Sequence, residues 1–156
     1  MILVSIPRDT WVPITGHHTA KINSAYNYGA ATLIKTIENN FGFKINHYMK
    51  LDFDTFTGVV NAIGHVHIFF PAAAYDKPTG LFIKTPGCVA LNGLDALAYA
   101  RSRYYQYQTA TSGSDPKHWP IEQDYDLGRI RRQQYFIRTL AEEAINALPG
   151  FRPDLI

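Results

Sequence analysis

The sequence has a single cysteine, Cys88. No internal disulfide can staple the fold, and the redox compartment cannot be read from thiols. A lone thiol of this kind reads as a small apolar side chain, so Cys88 is expected to be buried. Strong charge of either sign is also missing. Fifteen Lys and Arg against thirteen Asp and Glu leave a net +2, so no whole-molecule field invites nucleic acid. No apolar run reaches the roughly 18 residues of a membrane-spanning helix, and the first residues lack the flanks of a signal peptide. A nucleophile elbow, a phosphate loop and a dinucleotide fingerprint are all absent, which removes the common hydrolase and nucleotide-binding readings.

What is present is enough for one globular domain over residues 1–156. A chain of this size buries roughly 70% of its unfolded surface and needs no metal staple. Ten Tyr, nine Phe and two Trp make an aromatic surplus, which reads first as core and second as the lining of an apolar groove.

Ile2–Ile6 reads as a strand from the first residue, which suggests that chain precedes it. Pro7–Thr10 is a turn, Trp11–Ile14 a short extended piece and Thr15–Ala20 a loop. Lys21–Asn40 has helical periodicity, capped by Asn23 or Ser24 and stopped by Asn40 and Gly42. Phe43–Leu51 reads as a strand. Asp54 is a plausible N-cap for a short helix that buries Phe56, Val59, Val60 and Ile63. Val66–Phe70 and Leu81–Lys84 read as further strands, and Asn92 or Gly93 starts a helix to about Ala100. Tyr104–Tyr125 is polar, aromatic and without pattern, as functional or mobile segments often are. Asp126–Leu148 is the clearest helix, with Ile130, Ile137, Leu140, Ala141, Ala144 and Leu148 toward the core. Strands alternate with helices. The expected class is α/β, an α-β-α sandwich with a central mixed β-sheet flanked by helices.

Chemistry concentrates in the last third. Arg101 and Arg103 are two apart, on one face if that segment is extended. Arg129 and Gln133 are four apart and share a helix face, at an N-terminus where an anion is welcome. Planar guanidinium forks with an amide donor suit a pyrophosphate. The competing reading is a solvated face neutralised by Asp115, Glu122, Asp124 and Asp126, with Arg131, Arg132 and Arg138 as surface charges. His17 and His18 are adjacent and His65 and His67 alternate on a strand without a cysteine nearby, so no zinc site is expected. Ser5 reads as a buried hydroxyl. Asp9, Asp52 and Asp54 could serve a metal or act as a base, although a cap explains Asp54 better.

The order of motifs resembles the LytR-CpsA-Psr catalytic domain. Ser5-Ile6-Pro7-Arg8-Asp9-Thr10 is followed by Lys21-Ile22-Asn23, Tyr28-Gly29, His47-Tyr48, Asp52-Phe53, Ile63-Gly64 and Leu91-Asn92-Gly93. Tyr99-Ala100-Arg101-Ser102-Arg103 and Asp126-Leu127-Gly128-Arg129 through Arg132-Gln133-Gln134 close the series. The long insert with Trp119 is similar to actinobacterial members. His65 departs from the pattern, standing where a second glycine is usual.

The resemblance implies a magnesium-using phosphotransferase outside the cytoplasmic membrane. It would move a glycopolymer from a polyprenyl-diphosphate carrier to peptidoglycan through a phosphodiester link. It places Arg8, Arg101, Arg103, Arg129 and Gln133 around the diphosphate, with Asp9 either accepting a proton or orienting Arg8. It also implies an apolar tunnel for the polyprenyl tail, with Tyr26, Phe53, Phe56 and Phe136 as open candidates for its wall. The family's membrane helix, first strand and some magnesium carboxylates would lie upstream of this chain, so no metal ligand is assigned within it. An impaired polyprenyl-diphosphate-binding module and a pyrophosphatase are the alternatives at the same site. General polyanion or nucleic-acid binding is disfavoured, since no basic stripe carries stacking aromatics.

Overall fold

The computed structural model describes residues 2–147. The chain divides into two units, Met1–Lys50 and Leu51–Ile156, each with its own apolar core.

In the first unit the expected strand Ile2–Ile6 is not formed. No described strand pairs with it, and a strand needs a ladder partner for its backbone groups. Ser5 is exposed rather than buried. Instead β1 (Trp11–Pro13) pairs antiparallel with β2 (Thr19–Lys21), placing Val12 opposite Ala20. The helix read as Lys21–Asn40 is two pieces, a 3-10 helix at Ile22–Tyr28 and α1 at Ala30–Phe41. The break is Gly29, whose φ of 103° is outside any helix and costs a side-chain-free residue little. Neither Asn23 nor Ser24 caps the first piece, whereas Gly42 ends α1 as expected. Val12, Ile14, Ile22 and Ala25 form the core, with Leu33 and Ile37 of α1 against it. The expected strand Phe43–Leu51 is also missing. Around it the Ile45 amide donates to the Glu38 carboxylate at 2.9 Å instead of to a neighbouring strand.

The second unit opens with α2 (Phe53–Ile63). Its N-cap is Asp52, not Asp54: the Asp52 carboxylate accepts the Thr55 amide at 2.8 Å, while Asp54 sits in the first turn. Then come β3 (Val66–Phe70), β4 (Ala74–Asp76), β5 (Leu81–Ile83) and β6 (Gly87–Leu91). β3 lies where its alternation predicts, with Val66, Ile68 and Phe70 inward. It pairs antiparallel with β6, Val66 facing Leu91 and Phe70 facing Gly87. α3 (Gly93–Arg101) starts at Asn92, whose side-chain oxygen accepts the Leu94 and Asp95 amides. β7 (Gln106–Tyr107) joins β4 on the edge opposite β5. α4 (Tyr125–Ala147) completes the order. Leu148 lies outside the described residues. The fold is α/β, and every strand pairing among the described residues is antiparallel, in small ladders rather than one mixed sheet.

Three expectations about packing change. The buried line of α4 is Gly128, Arg132 and Phe136, four residues apart, with partly buried Leu140 packed on the same core. That spacing is helical, but an arginine inside it hides the stripe from a hydropathy pattern, and Ile137 stays exposed. The segment Tyr104–Tyr125 is ordered around buried Trp119, whose indole N–H donates to Gly113 O at 3.1 Å. Gln106 Nε2 donates to Trp119 O at 2.9 Å and to Pro116 O at 3.2 Å. Cys88, on the outer side of β6, is exposed, contrary to its expected burial.

α3 meets α2 closely at Gly93. A Cβ there would lie 2.5 Å from the Thr57 carbonyl oxygen and 2.9 Å from Thr57 Cα. The Gly93 amide donates to the Asn61 side chain at 2.9 Å. Gly93→Ala should therefore lower stability by about 1–3 kcal/mol through overpacking. Urea unfolding measures this, and an unchanged midpoint and slope would show that the helices can part without cost.

Candidate functional site

Between α2, α3 and α4 the second unit holds a cavity of about 290 Å³. Phe53, Phe56, Val59, Leu97, Phe136, Ile137 and Leu140 form most of its wall, and Arg101, Gln133 and Asp52 are its polar residues. The phenyl rings of Phe56 and Phe136 stack with centroids 5.2 Å apart. Of the aromatic candidates for a groove, Phe53, Phe56 and Phe136 line this one. Tyr26 belongs to the first unit, where Lys50 Nζ lies 5.3 Å from its ring centre.

Arg101 ends α3, and its guanidinium carbon sits 4.3 Å from the centre of the Phe53 ring. Among the described residues no carboxylate pairs with it. A guanidinium resting on a ring face keeps its edge donors available to an anion. Gln133 is oriented by donating to the Ala100 carbonyl at 2.9 Å, across the α3–α4 contact.

Arg103 and Arg129 converge on one carboxylate. Asp126 lies 3.3 Å from Arg103 Nε and 3.1 Å from Arg129 Nη2. Asp126 and Arg103 are solvent-exposed, so their ion pair is worth only about 0–1 kcal/mol. An incoming phosphate offers each arginine a charge-assisted bond of about 1.5–3 kcal/mol. On those magnitudes the ligand wins, and pairing with Asp126 does not disqualify either arginine. The structure thus gathers Arg101 and Gln133 at the cavity and Arg103 and Arg129 at Asp126.

Arg8 and Asp9 belong to the first unit. Arg8 Nε is 3.7 Å and Lys21 Nζ 3.2 Å from Asp9 Oδ1. The hydrogen bond from Lys21 holds the Asp9 carboxyl below its ordinary range, which weakens it as a base and favours a charge-orienting role for it.

The sequence reading missed two buried charged groups. Arg132, expected at the surface, is buried. It donates through Nη1 to Glu122 and through Nη2 to Ser102 O at 2.7 Å, and its guanidinium lies 4.5 Å from the Tyr105 ring centre. Asp76, fully buried at the end of β4, accepts from Ser102 Oγ at 2.5 Å and from the Arg103 and Tyr104 amides at 3.1 Å each. The i+4 spacing of Gly128, Arg132 and Phe136 was the available signal for the first; a single aspartate in a short strand gives none for the second. Of the other acids named as neutralisers, Asp124 pairs with exposed Arg131 at 2.7 Å and Asp115 caps Pro116–His118. Burial also raises the Tyr99 and Tyr105 phenols, Tyr105 to about 12 even though Arg132 pulls it down.

Elsewhere His67 is bound to Glu143, Nδ1 to Oε1, at 3.0 Å, tying β3 to α4. Among the described residues no group of three or more His, Cys, Asp or Glu could hold a metal ion.

The chain has relatives both in sequence and in fold. The LytR_cpsA_psr family matches residues 1–149. The chain is similar to the polyisoprenyl-teichoic acid–peptidoglycan teichoic acid transferase TagV of Bacillus subtilis, 38% identical over 66% of this chain and 28% of that protein. Its similarity to the transferase of the same description, TagU, of Enterococcus faecalis is 32% over 92% of this chain and 42% of that protein. In fold it superposes on a LytR-Csp2A-Psr enzyme from Actinomyces oris with a TM-score of 0.70, at 23% identity, over 90% of this chain and 49% of the other. The chain spans less than half the length of each of these relatives.

The two neighbouring arginines of α4 should behave oppositely. Arg132→Ala strands Glu122 and the Ser102 carbonyl and should cost about 3–5 kcal/mol. Arg131→Ala loses an exposed pair and should cost less than about 1 kcal/mol. Equal losses in chemical denaturation would contradict the assignment of Arg132 to the core. Because the folded Tyr105 phenol is raised, its contribution is complete below the unfolded value of about 10 and is lost as pH climbs toward about 12. Tyr105→Phe should flatten the fall in unfolding free energy over that interval, and an unaltered pH profile would show that Tyr105 is not held neutral.

Proposed function

Since the chain belongs to the LytR-CpsA-Psr family, we propose that it transfers a glycopolymer from a polyisoprenyl-diphosphate carrier to peptidoglycan. The observation that carries the reading is the position of Arg101: a guanidinium without a carboxylate partner among the described residues, laid on Phe53 at an apolar cavity. A ligand that is an anion at one end and a hydrocarbon at the other meets both features. The similarity to two polyisoprenyl-teichoic acid–peptidoglycan transferases supports the same chemistry.

In the proposed reaction a hydroxyl oxygen of the acceptor sugar attacks the phosphorus that carries the polymer. A phosphodiester forms, the bond to the bridging oxygen breaks, and polyisoprenyl phosphate leaves with that oxygen, which takes up the proton the attacking hydroxyl loses. Little covalent work falls to the protein; its part is to position the groups and neutralise charge. Arg101 meets the diphosphate, and Arg103 and Arg129 exchange Asp126 for phosphate oxygens as charge builds on the leaving group. Gln133, fixed on Ala100 O, adds to the polar end of the cavity, and the tail lies against Phe53, Phe56 and Phe136. Arg8 and Asp9 enter this reading through their motif. Magnesium and a place outside the cytoplasmic membrane belong to the same reading. No helix among the described residues is long and apolar enough to cross a membrane.

Arg101→Ala and Arg129→Ala should each weaken binding of a prenyl diphosphate by about 1.5–3 kcal/mol. Isothermal calorimetry giving the parental affinity for both variants would sink the assignment.

A further inference from the structure

The stretch between the two arginines of Arg101-Ser102-Arg103 is gripped from both sides by buried charge. α3 ends at Arg101, and Ser102 leaves the helix with φ −56° and ψ 125°. Segments just past a helix end ordinarily fray, because the last carbonyls and the next amides lack helical partners. Here those groups are met by side chains. Asp76 Oδ2 accepts the Ser102 hydroxyl and the Arg103 and Tyr104 amides. From α4, Arg132 Nη2 donates to the Ser102 carbonyl at 2.7 Å. Arg132 is in turn braced by Glu122 and by the Tyr105 ring.

We propose that Asp76 and Arg132 are positioning residues, a buried clamp on Ser102 that presets where Arg101 and Arg103 present their guanidinium groups to the diphosphate. The inference rests on the functional reading given above. Burying a carboxylate and a guanidinium is costly, and a turn that only had to end a helix could be closed by a glycine and water. The clamp instead fixes successive backbone groups between two exposed arginines. That is what planar, bidentate recognition of phosphate oxygens demands, since loss of about 1 Å in placement can cost a hundredfold. Neither clamp residue touches the ligand. Gly128 belongs to the same arrangement: a Cβ there would overlap the Glu122 carboxylate that braces Arg132.

The test compares two probes, a prenyl diphosphate and the uncharged prenyl alcohol of the same length, on the full chain. Asp76→Asn removes the charge at nearly constant volume. Ser102→Ala removes only the hydroxyl donor and leaves the Arg132 bond. The folded variants should lose affinity for the diphosphate, about ten- to a hundredfold for Asp76→Asn and less for Ser102→Ala, while binding the alcohol as the parent does. Equal losses for both probes would reduce the clamp to a structural feature, and parental affinity for both would remove it. If Asp76→Asn fails to fold, Ser102→Ala decides by the same comparison. The parent and Arg101→Ala serve as the separate control. If the parent binds diphosphate and alcohol alike, the functional reading fails and the clamp with it. If Arg101→Ala loses only the diphosphate while the clamp variants do not, the reading stands and the clamp alone is wrong.

Discussion

Two charges that have no business in an apolar core, Asp76 and Arg132, hold the second unit's working surface in place. Asp76 Oδ2 is spent on Ser102 and its neighbours and the Arg132 Nη atoms on Glu122 and the Ser102 carbonyl, while Asp76 Oδ1 and Arg132 Nε have no hydrogen-bond partner among the described residues. An uncompensated buried ion costs several kcal/mol, whereas a well-coordinated one is close to neutral. The consequence is specificity of shape more than stability. β4, α3 and α4 must meet at one register for Asp76 and Arg132 to reach Ser102 together. The same register brings Gln133 to Ala100 and Phe136 against Phe56.

The arginines of this unit divide by what surrounds them. Arg132 is buried and serves the fold. Arg131 is exposed and paired with Asp124, a contact of little energetic weight. Arg103 and Arg129 share Asp126 at the N-terminal turn of α4. Arg101 alone of these rests on an aromatic face beside an apolar cavity. A count of basic residues would treat them as equivalent, yet burial and partner chemistry give them different tasks.

Much of this was legible in the sequence, and the failures have physical causes. The strand Val66–Phe70, the helix from Gly93 and the stop at Gly42 follow from alternation, an Asn cap and a C-terminal glycine, all local effects. Ile2–Ile6 and Phe43–Leu51 have strand-like composition but are not strands, because a strand requires a partner that no local pattern specifies. The cap at α2 moved from Asp54 to Asp52, a choice between two equally good acceptors two residues apart. Arg132 was misjudged because charge was read as exposure. The arginine and glutamine pattern was visible by spacing and by motif, whereas the buried aspartate behind it was not, because tertiary contacts alone reveal its role.

The central claim is that one ligand places its anionic end on Arg101 and its hydrocarbon in the cavity between α2, α3 and α4. A structure determined with a bound prenyl diphosphate tests this most directly. The account predicts phosphate oxygens within hydrogen-bonding distance of the Arg101 guanidinium and the prenyl chain against Phe53, Phe56 and Phe136. A chain lying elsewhere with the cavity closed, or a diphosphate bound away from Arg101, would contradict it.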